Sequence, residues 1–143
     1  MKKWIKIVLI SLLGFFVMVQ FFPIDHSNPP VIREPSWDSP QTREFAERAC
    51  FDCHSNLVKY PWYSYIAPVS WMIRSHLKEG KEELNFSEWT GNENGAEIIK
   101  PILKGKMPLW EYKLLHPEAR LTKAEQEIFI AGLKRTIDQG KLK

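Results

Sequence analysis

The chain has two cysteines, and they stand three apart with a histidine directly after the second: Cys50-Phe-Asp-Cys53-His54. Cys-x-x-Cys-His is the pattern through which haem c is attached. Each thiol can add across one vinyl group, and the spacing presents both sulfurs to one edge of the macrocycle. His54 is then carried beneath the iron as an axial ligand. Other uses of a cysteine pair fit less well. Zinc needs four ligands, and no second cysteine pair supplies them. A thioredoxin-like dithiol follows an apolar strand, whereas Arg43-Glu-Phe-Ala-Glu-Arg48 is a charged helical stretch. A disulfide this short closes too small a loop to stabilise much.

The sixth coordination position decides between electron transfer and chemistry at iron, because Met/His ligation fills the sphere and raises the potential while an open site admits substrate. Met107, in Gly105-Lys106-Met107-Pro108, is the first candidate. A residue before proline is biased to an extended backbone that can project its side chain across a pocket. His76 is the alternative sixth ligand, on an apolar helix face, where a lone histidine is more often a satisfied core residue. His116 reads as a loop residue, and His26 falls in a spacer.

Helices must position these groups. Ser39 followed by Pro40 is a helix start, with serine as N-cap and proline where its missing N–H costs nothing. That helix runs to about Cys50, with Phe45, Ala46 and Ala49 on its core face. Val69, Met72, Ile73, His76 and Leu77 repeat with helical period over 69–79 before Gly80, a stop signal, which turns His76 inward. A third helix covers 94–104 with Ile99, Ile102 and Leu103 on one face, kinked or split by Pro101. Thr122-Lys-Ala-Glu125 is a capping box that opens a last helix bearing Phe129, Ile130, Leu133 and Ile137 up to Gly140. Gly132 and Ala131 would meet Ala46 and Ala49 if the first and last of these helices cross closely. No segment alternates with period two, so the domain is expected to be all-α with long loops.

The net charge of +3 comes from 20 basic against 17 acidic residues. Lys2, Lys3 and Lys6, the only charges before Asp25, account for the whole excess. The neutral body lacks the basic footprint of a nucleic-acid binder. Residues 7–22 carry no charge and follow the three lysines, a pattern that reads as an uncleaved transmembrane helix with its N-terminus in the cytoplasm. The run ends in Val19-Gln20-Phe21-Phe22, without the small residues of a cleavage site. The expected organisation is therefore an anchor over 1–22, a proline-rich linker or strap over 23–38 and a haem-binding domain over 39–143. The expected location is the bacterial inner membrane, single pass, with the C-terminal domain in the periplasm. Half of the 10 prolines lie between Pro23 and Pro40, which rules out a continuous helix there.

Several segments together resemble a known family, the bacterial haem-binding domain proteins, short exported chains related to cytochrome c. They are Arg48-Ala-Cys-Phe-Asp-Cys-His-Ser-Asn56, Tyr60-Pro-Trp-Tyr-Ser64, Ile66-Ala-Pro-Val-Ser-Trp71, Leu84-Asn-Phe-Ser-Glu-Trp89, Gly105-Lys-Met-Pro108 and Leu115-His-Pro-Glu-Ala119. The resemblance implies haem binding through Cys50, Cys53 and His54. More distantly the layout is similar to class I cytochromes c, in which a helix leads into the motif, a later Met-Pro supplies the sixth ligand and a terminal helix packs on the first. That likeness places Met107 at the sixth position and predicts a cytochrome c-like helical domain. Two departures stand out: the first helix lacks the glycine often found at the helix crossing, and Pro101 interrupts the helix before Met107. The function expected is one-electron transfer by one covalent haem c, with periplasmic or membrane redox proteins as partners. The alternatives are a haem enzyme of peroxidase type, with His76 as its distal acid or base, and a haem-based sensor with a labile sixth ligand.

Overall fold

The structure, a computed structural model, describes residues 2–140. Seven α-helices follow in order: α1 (Lys2–Val19), α2 (Pro40–Ala49), α3 (Phe51–His54), α4 (Val69–Glu83), α5 (Gly95–Leu103), α6 (Trp110–Leu115) and α7 (Lys123–Gly140), with short 3₁₀ turns at Trp62–Tyr65 and Pro117–Ala119. Among the described residues there is no strand, only an isolated bridge between Arg33 and Glu88. The all-α expectation holds.

The transmembrane anchor does not. No helix among the described residues is long and apolar enough to cross a membrane. Helix α1 has 18 residues, but Lys2, Lys3 and Lys6 occupy its first turns and it ends at Val19, where Gln20, Phe21 and Phe22 leave the helical path. Its uncharged part, residues 7–19, spans roughly 20 Å at the rise of an α-helix. That falls well short of a hydrocarbon core about 30 Å thick. The expectation of a single-pass inner-membrane protein falls with the anchor.

Local sequence explains the helices around the motif. Ser39 caps α2, its Oγ accepting from Thr42 N at 3.2 Å, and Pro40 occupies the first helical position. The capping box at α7 is reciprocal: Thr122 N donates to Glu125 Oε2 at 2.7 Å and Glu125 N donates to Thr122 Oγ1 at 3.2 Å. Phe45, Ala46, Phe129, Ile130, Leu133 and Ile137 join Phe51, Phe86, Trp89, Ile99 and Ile102 in one core. Helices α2 and α7 do pack on each other, and the glycine at their crossing is on the last helix. A Cβ on Gly132 would run into the Thr42 side chain and approach Asp38 Oδ1 to 3.0 Å. The residue opposite Gly132 is thus Thr42, and Ala131 is exposed.

Four helix expectations need correction. Gly80 does not stop α4, which continues to Glu83. The stripe of Val69, Met72, Ile73 and Leu77 is not core; it walls an apolar cavity of about 380 Å³. Pro101 neither splits nor ends α5, which runs through it to Leu103. The carbonyl freed by the missing Pro101 N–H belongs to Glu97, an exposed residue, so water can satisfy it. Leu103 faces outward, 68% exposed.

Residues 20–33 are tied along the domain. The Gln20 amide pairs with the backbone of Ala67, accepting from its N–H at 3.0 Å and donating to its carbonyl at 3.0 Å. His26 Nε2 donates to Ser64 O at 3.0 Å and its ring stacks on Tyr65. Asn28 Nδ2 donates to Val58 O, and Ile32 N and Arg33 N both donate to Ser87 O. Asn56, almost fully buried, donates through Nδ2 to Pro30 O and Glu88 Oε1 and accepts from Asn85 Nδ2 through Oδ1.

Candidate haem site

The motif begins where α2 ends. Cys50 N donates to Ala46 O at 2.8 Å, closing α2, and Cys53 N and His54 N both donate back to Cys50 O at 3.1 and 2.9 Å, winding residues 50–54 into a single turn. On such a turn positions i, i+3 and i+4 share a side, so Cys50, Cys53 and His54 come together. Both cysteines are free. Burial pushes the Cys50 thiol up to about 12, with the neighbouring Cys53 adding to it. Burial followed by the charge of Asp52 pushes Cys53 up to about 11. Protonated thiols in apolar surroundings are the opposite of the activated thiolate that a nucleophilic or redox cysteine requires.

Helix α4 lies against this turn and fixes the imidazole. His54 Nδ1 is 2.7 Å from Gly80 O and 3.1 Å from Leu84 O. A carbonyl only accepts, so Nδ1 carries the proton and Nε2 is left bare. Burial lowers the His54 pKa, against the raising effect of those two bonds, and keeps the ring neutral. A neutral imidazole whose other nitrogen is held by a backbone acceptor is the usual state of a metal-ligating histidine. The approach of α4 depends on Gly80: a Cβ there would sit 2.5 Å from Cys53 O and 3.2 Å from the carbonyl carbon.

Two cavities open above the motif. One, of about 300 Å³, is lined by Cys50, His54 and Met107. The other, of about 290 Å³, is lined by Cys53, His54, His76 and Met107. Of these two cavities Cys50 lines the first and Cys53 the second, while His54 and Met107 line both. Met107 reaches this place because the chain turns just past the end of α5 at Gly105, whose φ of 66° is in the left-handed region. There Gly105 N donates to Ile102 O and Lys106 N to Pro101 O, at 3.0 and 2.9 Å, a glycine-closed helix end that reverses the chain.

The other histidines are placed differently. His76 borders the Cys53-side cavity from α4, one turn before Gly80. His116 donates from Nδ1 to Tyr112 O at 3.0 Å and so accepts at Nε2 from Tyr63 OH at 3.2 Å, which occupies both nitrogens. His26 is taken up by Ser64 O. Two contacts had no sequence signal. Tyr112 OH donates to Asp52 Oδ2 at 2.6 Å, joining α6 to the motif turn, and burial followed by this bond raises the Tyr112 pKa. The pairing of His54 with the end of α4 likewise depends on a contact between distant segments.

A bare imidazole nitrogen, two thiols three apart and apolar space shared with a methionine are a donor set suited to haem. The molecule is of the haem-binding class. A family model described as the haem-binding domain matches residues 14–135, and the chain belongs to that family. No curated protein and no solved structure matches it.

Proposed function

We propose that the chain carries one haem c, joined by thioethers from Cys50 and Cys53 and held between His54 Nε2 and Met107 Sδ, and that it serves as a one-electron carrier. The observation that carries this reading is that two backbone carbonyls take up Nδ1 of His54, while His54 lines both cavities that Met107 also lines. Met107 is favoured over His76 because α4 supplies the acceptors behind the His54 ring, which puts His76 on the helix that backs the proximal ligand. When bound, haem supplies the Fe(III)/Fe(II) couple. The residues orient it: Gly80 and Leu84 carbonyls set the imidazole, and the turn after Gly105 sets the thioether side chain of Met107. A filled coordination sphere leaves no place for substrate, so the partners are redox proteins that exchange electrons with the haem edge.

The test is the absorption spectrum of the purified full chain in both redox states, beside Met107→Ala. A methionine–iron band in the oxidised protein that disappears in Met107→Ala is expected. A high-spin spectrum in the parent chain, or an unchanged one in the variant, would overturn the ligand assignment.

A further inference from the structure

Three cavities meet at Met107, and their charges differ. The two that His54 borders carry Glu79, Glu83, Glu93 and Glu97 and neither lysine nor arginine. The third, about 570 Å³, shares Cys50 and Met107 with the Cys50-side cavity but carries Lys113 and Arg120 and no carboxylate. Arg120 is pinned in place, Nε donating to Lys113 O at 2.7 Å and Nη2 to Leu114 O at 3.2 Å. Neither cation has a carboxylate partner among the described residues.

The covalent structure of haem turns this asymmetry into an assignment. Its two vinyl-bearing rings are neighbours and so are its two propionate-bearing rings, so each thioether ring has a propionate ring beside it. A propionate on the Cys50 flank would then have the two cavities that Cys50 lines to choose between, one carrying carboxylates and one carrying cations. Like charges repel it from the first, and a guanidinium with free N–H groups suits a carboxylate in the second. We propose that Lys113 and Arg120 bind the haem propionate on the Cys50 flank. The inference rests on thioether attachment at Cys50 and Cys53 and is independent of the sixth ligand.

The charged groups facing that flank are Lys113 and Arg120 from α6 and the turn after it, and Glu83, Glu93 and Glu97 across Met107; α7 contributes no charged side chain, only Gln126, Phe129 and Leu133. The experiment measures the midpoint potential of the full-length haem-loaded protein against pH, with Lys113→Gln, Arg120→Gln, their double variant and Lys104→Gln. Lys104 borders a separate cavity that lacks His54, Cys50 and Met107 and serves as the charge control. The propionate-linked step should move up by about one pH unit in the double variant, a tenfold change in proton affinity, and stay in place in the control. A step at the wild-type pH in the double variant, or an equal move in the control, overturns the placement. Arg120→Gln also removes bonds to the end of α6. Lys113→Gln, whose side chain makes no hydrogen bond here, keeps the test valid should the other variant fold poorly, and its step should move in the same direction by less. A chain purified without thioether-linked haem, judged by its alkaline pyridine spectrum, overturns the attachment and the placement together. Attached haem with an unmoved step overturns the placement alone.

Discussion

Gly80→Ala sets two effects of opposite sign against each other. In a helix interior alanine is favoured over glycine by about 1 kcal/mol. Here the added Cβ would lie 2.5 Å from Cys53 O, a backbone atom inside the motif turn. Ordinary contact requires about 1 Å more, and no rotamer change can supply it. Either α4 or the motif turn has to retreat. A retreat of that size stretches the 2.7 Å bond from His54 Nδ1 to Gly80 O beyond hydrogen-bonding range. Overpacking of this kind costs about 1–3 kcal/mol, and the weakened bond about 1 kcal/mol more. The net expectation is a loss of about 1–3 kcal/mol after the helix-propensity gain. Urea unfolding followed by tryptophan fluorescence and circular dichroism measures it. The haem-loaded protein should also show a disturbed axial-ligand spectrum. A variant as stable as the parent, with an unaltered spectrum, would refute the claim that α4 and the motif turn are in obligatory close contact.

Asn56→Ala removes three side-chain hydrogen bonds at a nearly fully buried position and strands Asn85 and Pro30 O; a loss of about 2–4 kcal/mol is expected in the same unfolding assay. Glu34 accepts from Arg43 Nε and Nη2 at 2.8 and 2.9 Å, and that pairing, joined by Trp37 and against the effect of burial, lowers its pKa. A depressed carboxyl contributes stability above its unfolded value of 4.5 and loses it as pH falls through the folded value. Glu34→Gln should therefore cost about 1 kcal/mol at pH 7, and the difference from the parent should vanish when urea unfolding is repeated well below pH 4.5. Gln20→Ala frees the chain between α1 and the domain, so limited proteolysis should cut around residues 20–24 several-fold faster while the domain's unfolding midpoint stays put.

What could be read from the sequence was local. Cys50, Cys53 and His54 announce themselves by spacing, and Ser39-Pro40 and Thr122 with Glu125 announce helix starts because a cap is completed within four residues. The core faces of α2 and α7 followed from their periodicity. The sequence misleads where one residue type has two uses. Gly80 reads as a helix stop, yet α4 runs on past it to Glu83, and its missing Cβ permits close contact with Cys53. The stripe on α4 reads as core because periodicity shows which side is apolar and not what lies against it. Residues 7–22 read as a span because hydropathy alone does not reveal that the helix ends at Val19. Small residues on α2 and α7 point to a close crossing, but its actual pair, Gly132 and Thr42, depends on a register that only packing sets.

Gly80 O accepts from two donors, His54 Nδ1 and Leu84 N, the latter at 3.0 Å. The same carbonyl thus closes the last turn of α4 and holds the His54 imidazole. The end of a helix is where backbone order is cheapest to lose. Fraying of that one turn and misalignment of the imidazole are consequently a single event, and the aim of His54 can be no more durable than the closing bond of α4. The orientation of the His54 ring is thereby tied to a helix terminus, so whatever tightens or loosens residues 80–84 also acts on that imidazole.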